Sequence, residues 1–184
     1  MTTDFPGFSG PGASTEVPLE MLAACHVRIQ RQCTTLERLA GYLPDHGSDE
    51  QARQAAHNIM RYFDTSAIQH HADEEQDLFP ALIESMAGSD AVCIREMIGG
   101  LSADHRELES RWRRLRDTLK RIESGETAAL SEKDVEAFTG LYRQHIQREE
   151  DELLPMAARL LGDADIQRIG EAMRGRRGIG DDML

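Results

Sequence analysis

An all-α protein, built as an up-down-up-down four-helix bundle with a short fifth helix, is what the sequence predicts, and three observations predict it. No segment of the 184 residues alternates apolar and polar with period two over a useful length. Apolar residues recur instead every three or four positions along four long runs. Short breaks rich in Gly, Ser and Asp separate the runs, as suits antiparallel neighbours in a bundle.

The elements follow in order. Residues 1–17 open with MTTDFPGFSGPGASTE, rich in Gly, Pro, Ser and Thr, and read as a flexible arm. Pro18 suits the first turn of a helix and begins a bundle domain expected over 18–174. The first run, from Leu19 to about Tyr42, carries Leu22, Ile29, Leu36 and Leu39 at helical spacing. LPDHGSDE is expected to end it, with Ser48 capping the next helix. The second run covers about Asp49–Ala87, and Pro80 should kink it by freeing the Gln76 carbonyl. GSD at 88–90 is a break. The third run covers about Asp90–Glu123, weakened at Gly99–Gly100. SGETAAL is a loop, and SEKD (Ser131–Asp134) resembles a capping motif. The fourth run, about Glu132–Leu161, again holds a proline, Pro155. Asp163 can cap a fifth helix, about Ala164–Arg174, ahead of a Gly/Arg-rich tail at 175–184.

Composition narrows the function classes. With 33 acidic against 21 basic residues the net charge is −12, which argues against nucleic acid and anionic membrane as partners. The three cysteines (Cys25, Cys33, Cys93) are odd in number and form no CxxC pair, so a reducing, cytoplasmic location is the expectation. Cys25 and Cys33 read as small core residues. No apolar run reaches about 18 residues, and the N-terminus lacks a basic region followed by an apolar core.

Two stretches share one template. HHADEEQDLFP (His70–Pro80) and HIQREEDELLP (His145–Pro155) both read His, three residues, Glu-Glu, two residues, Leu, an apolar residue, Pro. The preceding helices match as well: ACHVRIQRQCTTLERL at Ala24 resembles ADHRELESRWRRLRDTL at Ala103. His26 lies 44 positions before His70, and His105 lies 40 before His145. Each half therefore reads as a helix with one histidine, a turn, then a helix with His-x-x-x-Glu.

Residues four apart share a helix face, about 6 Å apart along the axis, so His70 with Glu74 and His145 with Glu149 can aim at one point. That face is apolar. Phe63, Ala67 and Leu78 flank His70; Phe138, Leu141 and Leu153 flank His145; Leu101, Leu108 and Trp112 flank His105; Leu22 and Ile29 flank His26. A single histidine on such a stripe is usually a satisfied core residue. Four of them with two carboxylates cannot satisfy one another, and each unpartnered acid would cost several kcal/mol. Metal ions use those lone pairs and offset the charge. Imidazole with carboxylate suits iron first, then manganese or zinc. Two glutamates from opposite helices are natural bridges between ions about 3.5–4 Å apart.

On these motifs the chain resembles the hemerythrin-like, HHE cation-binding family over about residues 18–161. The resemblance implies a four-helix bundle holding two iron ions with a bridging oxo or hydroxo group. The ligands it implies are His26, His70, Glu74, His105, His145 and Glu149. His71 and Glu75, about 100° round the helix, fall outside that set, as residues that back the ligands or lie at the surface, and His57 falls on the exposed side. His46, in the first interhelical turn, is kept as a residue that could approach the site. Oxygen-carrying hemerythrins place two histidines four apart on the third helix; here Leu101 stands four before His105, and Glu109 stands four after it as a possible carboxylate substitute. Of about twelve coordination positions, four histidines, two bridging acids and a bridging oxygen leave about two open. This favours reacting with or sensing a small oxidant (dioxygen, peroxide or nitric oxide), as in the related domain of bacterial iron–sulfur-cluster repair proteins. The cysteine-bearing N-terminal domain frequent in those proteins is absent from this sequence. The alternative is a non-catalytic iron-handling, oxygen-binding or sensing module without turnover. Tyr142, three before His145, is a packing residue within reach of a bound ligand. Asp77 and Glu152, each seven after a ligand histidine, are candidates to orient histidine N–H groups.

Overall fold

The computed structural model describes residues 17–86 and 91–179, so the expected arm at 1–16, the GSD break and the last five residues lie outside the described residues. Every regular element among the described residues is helical. Helix α1 spans Pro18–His46, α2 Glu50–Phe63, α3 Ser66–Asp73 and α4 Phe79–Ser85. Helix α5 spans Ala91–Glu123, α6 Glu132–Arg148, α7 Leu154–Leu160 and α8 Asp163–Arg176. Two π-helical turns, Glu74–Leu78 and Glu149–Leu153, join α3 to α4 and α6 to α7. The second arm of the bundle is thus α2–α3–α4, and the fourth is α6–α7. α1 and α5 each pack against both α2 and α6, which closes a four-cornered bundle. α8 lies across α1, α3 and the first π turn.

Local chemistry explains the boundaries, and in four places it differs from the expectation. α1 does not stop at Tyr42 but runs through Pro44 to His46, closing on Gly47 at φ 63, whose N–H bonds the Leu43 carbonyl at 2.8 Å. A proline in the last turn forfeits one hydrogen bond, and the left-handed glycine finishes the helix. The cap of α2 is Asp49, accepting from the Ala52 N–H at 2.9 Å, whereas Ser48 donates to the Glu126 carbonyl at 2.6 Å. The second run is interrupted at Asp64–Thr65, and what precedes Pro80 is a π turn in which the Phe79 N–H reaches the Glu74 carbonyl. The pyrrolidine ring would collide with the carbonyl four residues back, and widening the helix by one residue relieves that. Pro155 follows its own π turn in the same way, with the Leu154 N–H on the Glu149 carbonyl.

Asp163, expected as the cap of the fifth helix, is instead the first residue of α8 behind Gly162, with no side-chain cap. Ser131 caps α6, accepting from the Asp134 N–H. α5, expected to be weakened at Gly99–Gly100, passes through them unbroken, and Gly100 lies against the Arg148 guanidinium. Cys25 and Cys33 are buried. No described helix is long and apolar enough to cross a membrane.

The core falls into two apolar clusters. One holds Ile29, Leu36, Phe63, Leu108, Trp112 and Phe138; the other holds Leu22, Leu78, Leu82, Leu101, Leu153 and Ile169. Leu22 and Ile29 straddle His26, and Leu101 and Leu108 straddle His105, so the histidines form a polar layer between two apolar ones. That layer is the site.

Candidate metal centre

Each corner of the bundle sends one histidine inward. His26 comes from α1, His70 from α3, His105 from α5 and His145 from α6, and all are at most 5% exposed. Glu74 and Glu149, fully buried, stand at the first positions of the two π turns. The structure therefore brings together all six residues that the sequence singles out.

Their geometry is specific. Glu74 lies with Oε1 3.4 Å from His70 Nε2 and Oε2 3.3 Å from His105 Nε2. Glu149 lies with Oε2 3.1 Å from His26 Nε2 and Oε1 3.1 Å from His145 Nε2. Each acid gives one oxygen to either histidine pair. Two four-residue groupings result, His26–His70–Glu74–Glu149 and Glu74–His105–His145–Glu149, each with donor atoms within 4.8 Å of one another.

Among the described residues, eight buried polar side-chain atoms have no hydrogen-bond partner: both oxygens of each acid, Nε2 of His26 and His71, and both nitrogens of His70. The acids sit 3.1–3.4 Å from imidazoles without a donor directed at them. Atoms that approach without bonding are what an ion between them would produce. Bonds of about 2.1 Å at right angles separate neighbouring donors by about 3.0 Å. His105 Nε2 and His145 Nε2 are hydrogen-bonded at 3.0 Å, a separation that two donors on one ion would also have. The residues fit a metal, and the cluster is capable of binding one.

Electrostatics points the same way. Burial pushes the Glu74 carboxyl well above its usual range, and the facing Glu149 charge adds to that. Burial pushes Glu149 upward too, but the imidazoles of His145 and then His26 overcome it and hold this acid well below the usual range. Burial also keeps His70, His71 and His105 below the ordinary histidine value, while Glu149 and Asp104 outweigh burial at His145 and raise it. Two acids share one dry space, which bare protein tolerates by protonating one of them.

The chain belongs to the hemerythrin HHE cation-binding family. The model of that family's domain matches residues 17–157. An uncharacterized protein of Haemophilus influenzae is 32% identical over 167 residues, covering 91% of this chain and 94% of its own.

Three carboxylates hold the outer faces of the histidines. Glu75 Oε1 lies 2.8 Å from His105 Nδ1, Glu150 Oε1 3.1 Å from His26 Nδ1, and Asp104 Oδ2 3.5 Å from His145 Nδ1. Such partners fix the ring and leave Nε2 facing inward. Asp77 and Glu152, the sequence candidates for that task, do not perform it: Asp77 pairs with Arg176 at 2.8 Å, and Glu152 is exposed. A signal was present in the double Glu of both motifs. The first glutamate faces the centre, and the second reaches across to the histidine of the other half. For Asp104 the only cue is that it adjoins His105.

The remaining candidates separate clearly. His46 ends α1, stacked on Tyr42 at 3.8 Å and away from the site. His57 is exposed on Glu123, as expected. Glu109 is exposed and pairs with Arg113. Tyr142 is buried against Phe63 and Phe138 and lines a cavity of about 450 Å³ that also reaches His71 and His105. His71 is the residue the sequence undervalued: its Nε2 is buried and unpartnered, and one of its ring nitrogens lies within 4.8 Å of nitrogens of His105 and His145.

Proposed function

We propose that this hemerythrin-family chain is a non-haem di-iron protein that reacts with, or senses, a small oxidant such as dioxygen, peroxide or nitric oxide. The observation that carries the reading is the shared placement of Glu74 and Glu149, each with one oxygen toward His26 and His70 and the other toward His105 and His145. Two ions, one held by His26 and His70 and one by His105 and His145, would share both carboxylates. Imidazole–carboxylate donors favour iron, with manganese and zinc behind it. When bound, two iron ions supply two one-electron couples and open positions for a small ligand. The protein's own part is to fix the histidine tautomers through Glu75, Glu150 and Asp104, and to exclude bulk water with the two apolar clusters.

A second reading, a module that registers iron or oxygen without turnover, draws support from six unpartnered atoms of the ligand set, both oxygens of each acid and Nε2 of His26 and of His70. Binding energy that satisfies them is folding energy, so the stability of the bundle would track its metal. The test is metal analysis of protein purified without chelator and reloaded with ferrous iron, followed by an optical spectrum after oxidation. Two irons per chain with the near-ultraviolet absorption of bridged ferric pairs support the reading; chain free of bound metal refutes it. Peroxide or nitric oxide added in excess then divides the two versions, turnover against a stoichiometric spectral change.

A further inference from the structure

The two halves of the chain repeat each other, but not at one position beside the centre. His70 corresponds to His145, so His71 corresponds to Ile146. Ile146 is buried in the apolar cluster. His71 instead has an unpartnered, buried Nε2, brings a ring nitrogen within 4.8 Å of nitrogens of His105 and His145, and forms part of the lining of the cavity between α3 and α5. Phe63, Ala67, Leu108 and Trp112 give this cavity an apolar wall, and Ile68 and Arg106 stand exposed at its outer end. One side of the centre is therefore sealed by an aliphatic side chain, and the other is reached from outside past an imidazole.

His71 is not placed as a fifth ligand of the His105–His145 ion. An imidazole lone pair lies in the plane of its ring. The rings of His105 and His145 are inclined at 64°, and those of His26 and His70 at 85°, so each pair can converge on one point. His71 lies parallel to His105, 14° between planes and 4.0 Å between centroids. An ion about 2.1 Å from His105 Nε2, in that ring's plane, is nearly a full stacking distance from the plane of His71. That separation suits a hydrogen bond to a molecule bound on the ion, not a bond to the ion itself.

We propose that His71 Nε2 donates a hydrogen bond to a small ligand with an acceptor atom, an oxygen species or a linear anion, held at the His105–His145 side of the centre. The inference rests on the di-iron reading. Its test uses azide as the probe, titrated by absorption into the full-length, iron-loaded ferric protein, with iron counted in every sample. His71→Leu removes the donor and keeps the bulk; His71→Gln keeps a donor. The expected result is two irons per chain in all three proteins, azide binding weakened about tenfold or more in His71→Leu, and recovery to within about threefold in His71→Gln. Loss of one iron in His71→Leu would make the residue a ligand and overturn the inference, as would unchanged azide affinity with full iron. Equal weakening in both variants would assign His71 a packing role instead. A wild-type protein without iron removes the di-iron reading itself, an outcome seen before any variant is compared.

Discussion

At the scale of single residues, the histidines and acids are arranged for an occupant and against an empty state. His70 shows this most sharply, because neither of its nitrogens has a partner. His70→Leu should lower the melting temperature of the metal-loaded protein by about 4 °C or more, since more than about 1–2 kcal/mol of shared binding energy is lost. In metal-free protein the same change removes a buried unpartnered imidazole and should leave the melting temperature level or raise it. A thermal melt with and without chelator reads both signs; equal destabilisation in the two samples would count against His70 as a ligand. Acid should act on metal-free protein in a defined direction. Burial holds His70, His71 and His105 neutral in the fold, while the unfolded chain protonates histidine below about pH 6.5. The unfolded state then binds more protons, so stability falls as pH drops. Glu74, whose folded carboxyl keeps its proton above the usual range, opposes this by about one proton. His145, raised by Glu149 and Asp104, opposes it too near pH 6.5 and ceases to once the unfolded histidine is also protonated, so the loss of stability steepens as pH falls from 6.5 toward 5. Urea midpoints for the metal-free protein should fall across that window, and a flat profile would contradict the assignment.

At the scale of elements, what the sequence made legible was periodicity and what it hid was backbone register. The apolar stripes placed His26, His70, His105 and His145 correctly because every face of the bundle is either core or solvent. The π turns were hidden because the step from four-residue to five-residue hydrogen bonding leaves no mark in composition beyond the proline that follows. A proline predicts trouble at that position but not whether the chain bends or widens, and the inward facing of Glu74 and Leu78, four apart, does not decide it either. Helix caps were also ambiguous, with Ser48 and Asp49 adjacent. Asp49→Ala should cost about 1 kcal/mol, a drop of about 2–4 °C in melting temperature with metal content unchanged. Ser48→Ala should cost clearly less, and the reverse order would return the cap to Ser48.

At the scale of the whole molecule, the C-terminal helix proves to be part of the centre's support, though nothing in its own sequence connects it to Asp73. Asp73 is fully buried beside Glu74 and is bonded by both Arg176 and Arg177, the latter at 2.5 and 3.1 Å. Arg176 also reaches Asp77 at 2.8 Å. Reading the tail as Gly/Arg-rich missed this because an arginine near a chain's end has no periodic partner to betray it. Replacing both arginines by alanine strands a buried carboxylate and should cost about 3–5 kcal/mol, seen as a lower urea midpoint. Adding Asp73→Leu to that double variant should recover most of the loss, since the stranded charge is then gone. Failure to recover would mean that α8 contributes mainly by its apolar face.

The distance along the chain between Asp73 and its arginines, 103 and 104 residues, has a bearing on biogenesis. Translation delivers this acid long before the cations that neutralise it. The nascent bundle must therefore keep Asp73 hydrated until Arg176 and Arg177 clear the ribosome. Closing that end of the bundle therefore waits for the last described helix, so the fastening beside Glu74 is made late.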